Sequence, residues 1–132
     1  ALVHEFYADA AMMRDAIERR SSFNLIHYET AFKVDIFICK RRAFDQAQLE
    51  RRHATVIATD PERSIYVVSA EDIILSKLEW HRLGGEVSER QWRDILGVLK
   101  TRAGELDLAY LRAWAGELNV GDALERALQE AS

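Results

Sequence analysis

At Ser69 the hydrophobic pattern changes its period from two residues to 3.6, and this switch separates a strand-rich part of the chain from a helical part. Upstream of it, residues 23–28 alternate, with Phe23, Leu25 and His27 on one face and Asn24, Ile26 and Tyr28 on the other. Residues 32–39 alternate as well, setting Phe32, Val34, Ile36 and Ile38 against Lys33, Asp35, Phe37 and Cys39. The connection Glu29-Thr30-Ala31 is short enough for an antiparallel hairpin. Residues 54–59 are rich in β-branched side chains, and the turn Asp60-Pro61-Glu62-Arg63 leads to a strand over 64–68, which predicts a second hairpin. Two helices are expected among these strands, over 10–20 with Asp9 as N-cap and over 44–52.

Downstream of the switch, Ser69 and Asp72 have capping-box spacing, although Asp is shorter than the usual Glu or Gln. The helix they open is expected to stop at Gly84-Gly85. Ser88 with Gln91 opens a helix to about Thr101 that buries Trp92, Ile95, Leu96 and Leu99. Asp107 caps a third helix carrying Leu111, Trp114, Ala115 and Leu118, and Asn119 ends it before a last one with Val120, Leu124, Ala127 and Leu128. The expected class is α+β: a mixed or antiparallel sheet with two hairpins, then about four helices. At 132 residues, 48% of them hydrophobic and only one Pro, the chain suits a single packed domain, strand-rich over 1–68 and helical over 69–132.

Charge narrows the functional classes. Lys plus Arg is 18 and Asp plus Glu is 22, a net −4 that argues against a protein that coats nucleic acid. Residues 1–60 are balanced at nine basic and nine acidic, so the excess lies in residues 61–132, with nine and thirteen. Lys40, Arg41, Arg42, Arg51 and Arg52 form a local basic cluster that reads either as a solvated face or as a place for phosphates. No apolar run reaches a membrane span and no secretory signal is evident, so a cytoplasmic protein without a membrane is expected. Cys39 is a single cysteine, and no Cys/His spacing matches zinc.

Two residues break their local pattern. Asp35 stands in the middle of Val34-Asp35-Ile36-Phe37-Ile38, where a carboxylate needs open solvent, a partner such as Lys33, or a cation such as Mg²⁺. Lys77 is the charged member of the stripe Ala70, Ile73, Ile74, Lys77, Leu78 and His81, so it either snorkels or meets a carboxylate or a phosphate. Asp94 on the next helix is its candidate partner, with Arg90 competing for that carboxylate. His27 reads as a satisfied core histidine, and no Ser/His/Asp or Cys/His arrangement is legible.

Three stretches, 23–45, 68–85 and 89–114, carry in order Lys33-Val34-Asp35 on a hairpin, Glu71-Asp72-Ile73-Ile74-Leu75-Ser76-Lys77-Leu78, and Arg93-Asp94-Ile95. Together they resemble the minimal nucleotidyltransferases of the polymerase-β-like fold, some of which are toxins of toxin–antitoxin systems. The resemblance implies Mg²⁺ and a nucleoside triphosphate as cofactor and substrate, with transfer of a nucleoside monophosphate to RNA or protein. It implies that Asp35 is a catalytic, metal-ligating carboxylate and that Lys77 and Asp94 face the nucleotide. The family's Gly-Ser turn and Asp-x-Asp strand do not occur before Asp35, and one Asp does not assemble a two-metal site. The expectation is therefore a protein inactive as it stands, whether part of a longer chain or of a lineage without the first motif. A non-catalytic binding or scaffold module, with a protein partner or a second copy covering a bare sheet edge, is the alternative from another class. An unrelated α+β domain is the third.

Overall fold

A computed structural model describes residues 5–132, and these form an α+β protein with two small antiparallel sheets and six helices. The chain divides into two compact units, one reaching to Asp45 and one from Gln46 to Ser132. The division falls within a helix rather than at the change of period near Ser69, so the second hairpin groups with the C-terminal helices.

In the first unit the strands are β1 (Phe6–Tyr7), β2 (Ser22–His27) and β3 (Lys33–Phe37), paired in that order. The register sets Asn24 opposite Asp35 and Leu25 opposite Val34, as the two alternating patterns require. Helix α1 (Ala10–Arg19) packs on β2 and buries Ala16. Its start is fixed by Asp9, whose carboxylate accepts from the N–H groups of Ala11 and Met12. Its end is fixed by Arg20 at φ 51°, whose guanidinium donates to the Cys39 carbonyl at 2.9 Å. The hairpin turn is held by His27, whose Nδ1 lies 2.8 Å from Thr30 Oγ1, so this histidine is satisfied within its own turn.

Helix α2 (Ala43–Glu50) is followed by β4 (His53–Thr59) and β5 (Glu62–Val67), which pair antiparallel. The turn is tighter than the sequence suggests, because Glu62 and Arg63 already pair with Thr59 and Ala58. Four helices follow: α3 (Ala70–Leu83), α4 (Glu89–Thr101), α5 (Leu108–Glu117) and α6 (Gly121–Ala131). Ser69, Ser88 and Asp107 each cap as expected, accepting from the N–H three residues on. Helix α3 packs on α4 and α5, and α6 closes the layer against both of those. Ile74, Leu75, Leu78, Ile95, Leu111 and Leu124 meet at the centre with no exposed surface.

Arg82, in the last turn of α3, ties this layer together. It reaches the Asn119 carbonyl, both Asp122 oxygens at 2.7 and 2.8 Å, and Glu86 at 2.9 Å. Asn119 sits at φ 58°, a conformation that Asn adopts more readily than most residues. The Arg82 guanidinium holds the Asp122 carboxyl below its ordinary range.

Leu78→Ala is expected to lower the unfolding free energy by about 2–5 kcal/mol in urea titrations, because the cavity it leaves is closed on all sides. Leu83→Ala, on a residue that is 78% exposed, should change it by less than about 0.5 kcal/mol. Equal losses for the two would contradict this placement of the core.

Candidate functional site

Asp35 lies in the first unit, at the centre of β3. Lys33, Asp35 and Phe37 form the exposed face of that strand, while Val34 and Ile36 form the covered one. The run is thus covered on one face rather than on both, which removes the desolvation problem that made Asp35 conspicuous. Lys33 Nζ stands 3.6 Å from Asp35 Oδ1, and both side chains are more than half exposed. A pair of this kind leaves the carboxylate accessible and contributes little to stability.

Lys77 and Asp94 belong to the second unit, and the fold brings them together: Nζ donates to Asp94 Oδ2 at 3.3 Å. Lys77 is not a member of the buried stripe. The stripe of α3 runs through Glu71, Ile74, Leu75, Leu78 and His81, rotated from the expected one toward Glu71 and Leu75. Lys77 lies on its margin with Ala70 and Ile73, which is where a long stem can reach outward.

The charged group most removed from water is Asp72, which the sequence marks only as a capping partner. Asp72 has no exposed surface, yet both of its oxygens are occupied. Oδ2 accepts from the Ser69 hydroxyl at 2.9 Å, and Oδ1 accepts from the Tyr110 hydroxyl at 2.6 Å. The side chain is too short to close a capping box, so it takes the Ser69 hydroxyl and leaves the second oxygen to a tyrosine 38 residues away. Burial, and then the bond to Asp72, raises the Tyr110 phenol well above its usual value. The first turn of α3 also suits a buried carboxylate, since its N–H groups point toward it.

Glu71 is nearly as buried and links the same helices. Its Oε1 accepts from the Asp107 N–H at 2.9 Å, and its Oε2 lies 3.6 Å from Arg51 Nη2. The Arg51 guanidinium stacks 3.7 Å above the Tyr110 ring, with Nε 3.8 Å from Asp72 Oδ2. That Nε is buried and has no hydrogen-bond partner. Beside this cluster is an open cleft of about 740 Å³. Arg51, His53, Arg102, Glu71 and Glu105 line it together with apolar Val67, Val68, Ile73, Val98 and Leu106. The cleft thus sets cations and carboxylates beside an apolar wall. Asp72 has no oxygen left over to act as a base, and Glu71 is held by a backbone N–H and a cation.

The basic cluster of the sequence is largely engaged. Arg42 pairs with Asp45 at 2.8 Å, Arg51 with Glu71 and Asp72, and Arg52 lies 4.7 Å over the Tyr66 ring. Cys39 is a free thiol on the surface. Among the described residues no three His, Cys, Asp or Glu side chains gather to hold a metal ion, and Asp35 does not form a metal centre by itself. Among the same residues no helix is long and apolar enough to cross a membrane.

No family model, curated protein or solved structure matches the chain.

Tyr110→Phe should cost about 1–3 kcal/mol at neutral pH, the penalty of leaving a buried acceptor unmet. Because folding raises the phenol's pKa, this contribution is complete below the unfolded value of about 10 and is lost as pH rises beyond it. The gap between wild type and variant should therefore shrink in unfolding titrations at about pH 11. A gap that is unchanged at that pH would contradict the assignment.

Proposed function

We propose that this chain is a nucleotidyltransferase-like module that binds a nucleotide and is catalytically silent by itself. The observation that supports the reading is the placement of Asp35. It projects from mid-strand onto an open face, in the Lys33-Val34-Asp35 context that resembles the family's third carboxylate. Lys77 is the second support. Its ammonium is held by Asp94 at the margin of α3, poised to exchange that carboxylate for a phosphate. The reaction class implied by the resemblance is Mg²⁺-dependent transfer of a nucleoside monophosphate to RNA or protein. Described residues of this chain supply no metal cluster for it. A cytoplasmic setting and a place in a toxin–antitoxin pair belong to the same proposal.

A binding or scaffold role without nucleotide chemistry is the second reading. The specific observation in its favour is the open cleft beside Arg51, where charged side chains of both signs stand next to an apolar wall and a buried Arg51 Nε has no partner.

Two measurements separate the readings. With labelled nucleoside triphosphate, Mg²⁺ and an RNA acceptor, the chain is expected to incorporate no label; turnover would overturn the claim of silence. Titration with ATP should show binding that weakens about five- to tenfold in Lys77→Ala, and titration with Mg²⁺ alone should show the same loss in Asp35→Ala, each roughly the worth of one lost charged contact. Both variants should keep their unfolding free energy within about 0.5 kcal/mol, since both sites are accessible. Absence of binding at millimolar nucleotide would dismiss the nucleotide reading in favour of the scaffold.

A further inference from the structure

Strand β4 reads His-Ala-Thr-Val-Ile-Ala-Thr, and all seven residues are exposed. It carries no Lys, Arg, Asp, Glu or Pro, although Val56 and Ile57 are each more than half exposed. Its neighbour β5 is different: it follows Pro61 and opens with Glu62 and Arg63, the residues that ordinarily guard an edge. Among the described residues the ribbon has two strands, so each offers a row of backbone groups on its outer side. A two-stranded ribbon is marginal in water without a third strand or a covering layer. A bulge between Val56 and Ala58 coils β4, but no charge or proline reinforces it on this edge.

We propose that β4 is the pairing edge of a two-fold dimer of this chain, joined to β4 of a second copy in antiparallel fashion. The charges that bracket the strand select both occupant and direction. Arg52 precedes it, beside an Arg51 already engaged by Glu71 and Asp72, and Asp60, Glu62 and Arg63 follow it, a net negative end. Antiparallel pairing about an axis near Val56 sets Arg52 of each copy against Asp60 of the other. Parallel pairing would set like charges together, which is unfavourable for directly opposed residues. The same patch serves both copies, so the contact closes on itself and does not grow into a fibre. The dimer is a four-stranded sheet, ordered β5-β4-β4-β5, with the charged β5 strands at its rims. The inference does not depend on nucleotide binding.

Sedimentation velocity of the whole chain, from micromolar to several hundred micromolar, is expected to show a reversible monomer–dimer equilibrium. Ile57→Lys places a charge on the edge and should raise the dimer dissociation constant by about tenfold or more. Arg52→Glu and Asp60→Arg should each weaken the dimer about fivefold, and the double exchange should restore it to within about twofold of wild type. Circular dichroism confirms that each variant is folded; should Ile57→Lys unfold, Thr55→Lys takes its place. A chain that stays monomeric throughout overturns the proposal, and strand addition by a different protein would then be the surviving use of this edge. A dimer indifferent to the edge lysine, or a double exchange no better than its singles, overturns it equally.

Discussion

The second unit depends on a carboxylate with no water. Asp72 enters the protein at the moment the chain turns from strand to helix, and its charge must be matched there. Ser69 matches it from the residue that caps the helix, and Tyr110 matches it from a helix much later in the chain. Arg51, stacked on the same tyrosine, brings a positive charge from the segment before β4. Three pieces of sequence are thereby fixed to one side chain, and the apolar layer of Ile74, Leu78 and Leu111 forms on the geometry they share.

Legibility in the sequence followed the range of the interactions. Caps, alternation and helix spans depend on neighbours a few residues away, and Asp9, Ser69, Ser88 and Asp107 all cap where spacing places them. The hairpin register follows from the same local alternation. Tyr110 with Asp72 was illegible because it joins residues 38 apart, and no pattern in either helix announces the other. A signal was present in Glu71-Asp72, two acids at the start of a helix whose buried stripe passes through the first of them. The stripe through Lys77 was misplaced by a fraction of a turn, since a helix of 14 residues fits two adjacent stripes almost equally and only packing selects one.

Chemistry and architecture therefore separate along the chain. The groups that hold the second unit are saturated: Asp72 by two hydroxyls, Glu71 by an N–H and a cation, Arg82 by three acceptors around the end of α5. By comparison Asp35 on its open face, Lys77 beside Asp94, and the charged side chains along the cleft remain accessible. Acidity in the helical part is likewise spent on pairs. Arg112 lowers the Glu125 carboxyl, and the Trp92 indole, followed by Arg126, lowers that of Glu130. A net charge of −4 thus describes a laced surface more than a field that would repel a nucleotide.

The dependence of this unit on Asp72 is most directly tested by a double-mutant cycle between Asp72→Ala and Tyr110→Phe, read by urea unfolding. A shared buried hydrogen bond predicts a coupling of about 1 kcal/mol or more, with the second substitution costing less once the first is made. Losses that simply add, within about 0.3–0.5 kcal/mol, would contradict the account and place the two side chains in separate environments.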